Sequence, residues 1–187
     1  YWRVNMRVIT GFARGKKLVT LDGNDIRPTT DRVKEGIFSS IQFDLEGASV
    51  LDLFAGSGQL GIEALSRGAD KAYFVDNSKK SLETVKKNLA ITGLENKSKL
   101  FNMNGHDFLK ITDQKFDFIF LDPPYDMGIL TEILPDLCNK LKSGGKIFCE
   151  HEKNLVLPDE INNLRLKKIY KYGKIKVSLY CLSGEDS

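Results

Sequence analysis

From Gly47 onward the apolar residues switch between two spacings. Short runs of consecutive apolar residues, each stopped by an acid, an amide or glycine, alternate with longer segments whose apolar residues recur every three or four positions. The runs read as strands and the longer segments as helices, and their alternation predicts an open α/β sheet. Val50 to Phe54 is the first such strand, and the helix Leu60 to Arg67 follows it and stops at Gly68. Lys71 to Val75 is the second, leading to a helix over Lys79 to Thr92 with Leu82, Val85 and Leu89 on one face and Gly93 beyond its end. Lys99 to Met103 is the third, with a short helix around Phe108 to Ile111. Phe116 to Leu121 is almost wholly apolar, as a strand covered on both faces must be. A helical region spans Ile129 to Leu141, with Pro135 expected to open a second segment, since proline suits a first turn better than an interior. Gly144 and Gly145 turn the chain into strand Lys146 to Glu150, and Leu164 to Tyr172 with Lys174 to Leu182, turning at Gly173, predicts a closing antiparallel hairpin. The sum is a mostly parallel seven-stranded sheet with helices on both faces.

The first 45 residues follow a different pattern and read as a small extension ahead of a main domain over residues 46–187. Val8 to Phe12 and Leu18 to Leu21 are β-rich and separated by Arg14-Gly15-Lys16-Lys17, which predicts a basic hairpin. Pro28 holds Arg27 extended, and Thr29 or Thr30 can cap a helix whose apolar stripe is Val33, Ile37, Phe38 and Ile41. Tyr1 to Asn5 precede Met6, where a natural start would fit, and are read as an extension outside the fold.

Composition narrows the class without naming an activity. The three cysteines, Cys138, Cys149 and Cys181, lack metal-ligand spacing and imply reduced thiols, with no metal and no disulfide frame. No apolar run approaches a membrane span and no basic-then-apolar leader is read at the start, so a cytoplasmic protein is expected. Net charge is only +3, but residues 1–40 hold 8 Lys/Arg against 4 Asp/Glu and residues 161–187 hold 6 against 2, while residues 41–160 hold 14 against 19. Basic ends around an acidic middle suit a polyanion gripped by the flanks, with chemistry in the centre. On this reading Arg7, Arg14, Lys16, Lys17, Arg27, Thr29 and Arg32 are candidate contacts to nucleic acid.

The chemistry lies where strands end. Gly56, Gly58 and Gly61 match GxGxxG between a strand and a helix, which aims backbone N–H groups at a nucleotide-like ligand. A packing turn explains the same glycines, so the loop alone decides nothing. In an open sheet, however, ligands sit at the carboxyl ends of strands, and four loops converge there: Asp52 to Gly58, Asp76-Asn77, Asn104-Gly105 and Asp122 to Tyr125. Asp76 lies 15 residues after Gly61, near the offset of a ribose-binding acid.

The last loop points to a reaction. Asp122-Pro123-Pro124-Tyr125 follows a buried strand; the prolines fix an extended backbone whose carbonyls, with the Asp122 carboxylate, can accept both hydrogens of an exocyclic amine. Tyr125 offers a ring on which a flipped base can stack. Holding both N–H bonds localises the amine's lone pair toward an electrophilic methyl.

These residues resemble a known family. The loop DLFAGSG (Asp52 to Gly58) and DPPY (Asp122 to Tyr125) resemble the class I S-adenosylmethionine-dependent amino-methyltransferases, a Rossmann-like α/β fold. With RPTTDRVKE (Arg27 to Glu35), MRVITGFARGKKL (Met6 to Leu18) and GIEALSRGA (Gly61 to Ala69), the match narrows to the RsmD family, which methylates the 2-amino group of one guanine in small-subunit (16S) ribosomal RNA. The resemblance implies S-adenosyl-L-methionine as cofactor, held by Asp52, Phe54, Ala55, Gly56, Ser57 and Gly58, by Asp76 and Asn77 at the ribose, and by Asn104 and Gly105 near the adenine, with Asp122 at the border of the amine site. It implies Asp122, Pro123, Pro124 and Tyr125 as the catalytic group. The partner is ribosomal RNA, free or in an assembling particle, and the enzyme is expected to act as a monomer. The rival readings are a DNA adenine-N6 methyltransferase, a nicotinamide-binding domain, for which DPPY has no use, and an inactive RNA-binding or assembly factor.

Overall fold

The computed structural model describes residues 6–21, 30–124 and 128–184. Helix α1 (Asp31–Ser39) precedes strand β1 (Ser49–Leu53), and α2 (Gln59–Ser66), β2 (Lys71–Asp76), α3 (Lys79–Thr92), β3 (Ser98–Asn102), α4 (Gly105–Ile111), β4 (Phe116–Leu121) and α5 (Ile129–Leu137) follow. Strands β5 (Leu141–Glu152), β6 (Glu160–Ile161), β7 (Leu164–Tyr172) and β8 (Ile175–Leu182) complete the described chain. One sheet holds them in the order β3-β2-β1-β4-β5-β8-β7-β6. The first five run parallel, and β8 lies antiparallel between β5 and β7. The seven expected strands are present, and the two-residue β6 adds an eighth.

Each face of the sheet has its own core. On one, Val50, Phe74, Phe118, Phe120 and Phe148 pack with Val33, Ile37 and Phe38 of α1, Ile62 and Leu65 of α2, and Val85 and Leu89 of α3. On the other, Leu51, Leu53, Val75, Ile119, Leu121 and Ile147 pack with Phe108 and Leu109 of α4 and Ile133, Leu134 and Leu137 of α5. Alternation along strands covered on both sides accounts for the division.

Four local expectations need correction. The N-terminal hairpin reduces to one antiparallel bridge, Arg7 to Lys17. Val8 donates its N–H to the Lys16 carbonyl at 3.0 Å and Leu18 to that of Met6 at 2.8 Å across this bridge, but the backbone between is satisfied elsewhere: Ile9 and Thr10 donate their N–H groups to the two carboxylate oxygens of Glu63, at 2.8 and 3.0 Å, and Ala13 donates to the Ser66 hydroxyl at 2.9 Å. Asn88 of α3 accepts the Val19 N–H at 2.7 Å and donates to the carbonyls of Val19 and Ser57. Met6, Val8, Ala13 and Leu18 thereby join the core of the first face. Second, Pro135 lies inside α5; its missing N–H falls in the last turn of a nine-residue helix, where Leu134 and Leu137 beside it are fully buried. Third, β5 starts at Leu141 and carries Gly144 and Gly145 through a bulge against β4, where Phe116 pairs with Leu141 but Phe118 with Lys146. Fourth, Phe54 leaves the strand at φ 73°, because the chain must turn out of the sheet there. Helix α1 takes Thr30 as its cap, with the Thr30 hydroxyl accepting the Val33 N–H; Arg27 and Thr29 lie outside the described residues.

Candidate active site

Register brings the strand tips to one level. Leu53 stands opposite Val75 in β2 and Leu121 in β4, Leu121 opposite Cys149 in β5, and Asp76 opposite Asn102 in β3. The loops after β1, β2, β3 and β4 therefore open onto one edge, at the point where strand order reverses between β1 and β4.

The glycine loop is built from the sheet outward. Phe54 and Ala55 both donate their N–H groups to the Val75 carbonyl at 3.0 Å, and the Ala55 carbonyl accepts from Gly58. Gly58, at φ 78°, caps α2 with no side chain of its own, and a Cβ at Gly61 would lie 2.4 Å from the Phe74 ring. Gly61 is thus a packing glycine. Gly56 differs: at φ 54° a Cβ there would meet nothing within 4 Å.

Two acids hold this loop in place. Asp52 is buried and accepts the Gly61 N–H at 2.9 Å. Burial pushes its carboxyl up to about 8; the Gly61 N–H opposes that shift, and the neighbouring carboxylates of Asp122 and Asp76 add to it. Asp52 therefore supports the loop from beneath. Asp76 accepts the Gly56 N–H at 2.9 Å through one oxygen and the Ser78 N–H at 2.8 Å through the other. It remains half-exposed at the tip of β2, with exposed Asn77 beside it.

The remaining candidates divide. Ser57 is buried and donates its hydroxyl to the Met6 sulfur at 3.3 Å, so the loop turns this side chain into the N-terminal segment. Asn104 is exposed at the tip of β3 and caps α4, accepting the His106 N–H at 2.8 Å, while Gly105 is buried against Leu53 and Ile133. Asp122 is half-buried at the end of β4, Pro123 is buried and Pro124 exposed; Tyr125 lies outside the described residues. Among the described residues no group of three or more His, Cys, Asp or Glu side chains could hold a metal ion.

A match to residues 6–181 by the family described as Conserved hypothetical protein 95 takes in this whole edge and the N-terminal segment clasped to it. The ribosomal RNA small subunit methyltransferase D of Haemophilus influenzae is 37% identical over 182 residues, 94% of this chain and 93% of that one. The chain belongs to this family, the RsmD family. The Escherichia coli ribosomal RNA small subunit methyltransferase D is 35% identical over 181 residues, 94% of this chain and 89% of that one. The solved Escherichia coli structure of yhhF superposes with a TM-score of 0.85 at 33% identity, covering 96% of this chain and 99% of that chain. The RsmD-family match and that superposition both span the N-terminal segment, which agrees with its place in the core.

The basic candidates occupy two levels. Arg7 pairs with Asp31 at 3.3 Å and bridges Lys17, near the start of α1 and exposed Arg32. Arg14 and Lys16 sit on the turn over the last residues of α2 and α3, where Phe12 donates to the Ser66 carbonyl and the Lys16 ammonium to that of Ile91. That turn lies at the far end of the sheet from the strand tips. Sequence reading missed Glu63, Ser66 and Asn88, the side chains that hold this segment; the visible signal was an acid inside the apolar run of α2.

Proposed function

We propose that this protein transfers a methyl group from S-adenosylmethionine to the 2-amino group of a guanine in small-subunit ribosomal RNA, in the cytoplasm, with the RNA free or in an assembling particle. The carrying observation is that the Asp122-Pro123-Pro124 tip and the Gly56 opening meet on one edge of the sheet in a chain that aligns with small subunit methyltransferases over nearly its full length.

The residues fit the cofactor. The open side of Gly56 lets a ligand approach the backbone closely, and Asp76 presents a carboxylate at the tip of the next strand, as ribose hydroxyls require. Asn77 flanks that carboxylate, and Asn104 and Gly105 form the adenine side. S-adenosylmethionine supplies an electrophilic methyl on a sulfonium. Asp122 and the carbonyls at Pro123 and Pro124 accept the two amine hydrogens, so the nitrogen lone pair points at that methyl. With the cofactor bound, its methyl would pass to that nitrogen with the C–S electron pair left on sulfur, and Asp122 would take the proton the amine then loses. Tyr125 supplies the stacking face for the base.

Tritiated methyl transfer to unmodified small-subunit RNA, free and protein-bound, followed by nucleoside mass spectrometry, tests the reading. N2-methylguanosine is expected, with Asp122→Ala as an inactive control that still binds cofactor; methylated adenine or no transfer overturns it.

A further inference from the structure

We infer that the turn between β7 and β8 grips the RNA backbone beside the target guanine, with Lys153, Lys171, Lys174 and Lys176 as its phosphate contacts. The inference rests on the ribosomal RNA reading above and concerns where the polymer is held.

Strand direction brings this turn to the site. β8 runs antiparallel to β5 and β7 antiparallel to β8, so the turn at Gly173 and Lys174 lies level with the end of β5. His151, Lys176 and Lys171 form one row across the three strands, and Glu152, Ile175 and Tyr172 form the next. β5 is parallel to β4, with Leu121 opposite Cys149, so this is the edge at which β4 leads into Asp122. β7 stands three strand spacings from β4, about 14 Å. Beyond β5 the chain stays with the turn, because Lys153 donates its N–H to the Lys174 carbonyl at 2.9 Å.

The charges there are unbalanced. Lys171 and Lys176 stand directly opposite each other, an arrangement that destabilises a hairpin. The third member of their row is no acid: His151 is buried, with Nδ1 at the Glu152 carbonyl and Nε2 at the Ser178 hydroxyl. Glu152 belongs to the next row, where alternation turns its side chain to the opposite face. Among the described residues none of the four lysines forms an ion pair, whereas Lys142 and Lys146, earlier in β5, reach Asp117 at 2.7 Å and Asp44 at 2.9 Å. Lys153, Lys171 and Lys174 are exposed and Lys176 is half-buried.

Lysines along an edge strand guard it against pairing with another sheet, which accounts for cations on β7. Edge protection does not account for this group. Lys176 lies on β8, between β5 and β7, and Lys153 and Lys174 lie in the connections outside the ladder. An RNA strand arriving at the strand tips is a polyanion, and lysine ammonium groups hold phosphates as point charges without reading bases. The turn also continues the rim formed at the start of α1. Tyr172 packs on that helix, where a Cβ at Gly36 would run into its hydroxyl; burial pushes the hydroxyl's pKa up, and the charge of nearby Arg32 opposes the shift.

The test first acetylates wild-type protein on lysine with a water-soluble N-hydroxysuccinimide ester, with and without saturating small-subunit RNA, and reads the sites by mass spectrometry. RNA is expected to abolish labelling of Lys153, Lys171 and Lys174 and to leave that of Lys86 and Lys87, exposed on α3, unchanged. Filter binding then compares Lys171→Gln/Lys174→Gln with Lys86→Gln/Lys87→Gln, which removes the same charge elsewhere. The first pair is expected to weaken RNA binding about 20-fold at about 0.15 M salt and to reduce the log–log salt slope by about 1.4–1.8, and the second to change neither. Equal protection of all five lysines, or an equal effect of the two pairs, overturns the inference, because net charge alone produces that pattern. The protection experiment needs no variant, so it decides even if a substituted protein fails to fold. Wild type that methylates the RNA but fails these tests removes only this inference; wild type that neither binds nor methylates small-subunit RNA removes the functional reading as well.

Discussion

The Asp76 carboxylate, at the tip of β2, reaches the Gly56 N–H at 2.9 Å and so ties the glycine loop of β1 to the neighbouring strand. Its second oxygen takes the Ser78 N–H, which opens α3. One side chain thus fixes two loops at the proposed cofactor edge. Asp76→Ala removes the acceptor of the Gly56 N–H as well as the proposed ribose contact. Its affinity for S-adenosylmethionine should fall about tenfold or more, as loss of a charged hydrogen-bond acceptor gives. Titration calorimetry reads this directly, and unaltered affinity would take Asp76 out of the site.

The two kinds of glycine predict opposite phenotypes. Gly61→Ala drives a methyl into the Phe74 ring and should destabilise the fold by about 1–3 kcal/mol. Gly56→Ala has room for its methyl and meets only the strain of positive φ, about 1–2 kcal/mol, but it fills the opening where the cofactor is proposed to lie. Thermal melts with and without S-adenosylmethionine separate them: ligand should still raise the Tm of Gly61→Ala and should do little for Gly56→Ala.

Asp52 makes stability depend on pH. The folded carboxyl keeps its proton up to about 8, whereas the unfolded one releases it near 3.8, so the folded state binds more protons between those values. The stability this group contributes is complete below about pH 4 and is lost as pH rises through about 8. Asp52→Asn keeps an oxygen for the Gly61 N–H and cannot ionise. Its Tm should therefore gain on that of wild type as pH goes from 5 to 9, and a constant difference across that range would contradict the shift.

Glu63 holds the N-terminal segment. Glu63→Ala leaves the Ile9 and Thr10 N–H groups without the fully buried carboxylate that accepts them, and Arg67 without its partner at 2.8 Å. A loss of about 2–4 kcal/mol is expected, a Tm drop of roughly 5–15 °C. Limited trypsin digestion should cut first at Arg14, Lys16 or Lys17 in the variant. Cleavage elsewhere with those bonds intact would show that the clasp lies outside the weakest region.

The two levels of basic residues predict unequal roles in RNA binding. Lys17→Glu and Arg32→Glu, near the start of α1, should weaken RNA binding and reduce its salt dependence by about 0.7–0.9 in log–log slope for each phosphate no longer neutralised. Arg14→Glu and Lys16→Glu, at the far end of the sheet, should do neither to the same degree. Filter binding across a salt series tests the ordering, and equal losses at all four positions would mean that RNA wraps the whole segment.

Much of the molecule was written locally. Strand runs such as Phe116 to Leu121, helix stripes such as Leu82, Val85 and Leu89, and the loops that follow the strands are short-range patterns, and each is found where its period placed it. Misreadings arose where a distant partner overrode local preference. Val8 to Phe12 has the composition of a strand, yet the N–H groups of Ile9 and Thr10 go to Glu63, some 54 residues away. Pro135 stays in its helix because Leu134 and Leu137 are anchored in the core. By itself the sequence determined the alternation of strands and helices, the motifs at their ends and, through them, the family. Only the tertiary structure decided how the residues of each motif are arranged: Asp52 beneath the loop and Asp76 at its edge, Gly61 against Phe74 and Gly56 with nothing near its Cβ position. Those distinctions depend on register between strands far apart in the chain, and no local pattern carries it.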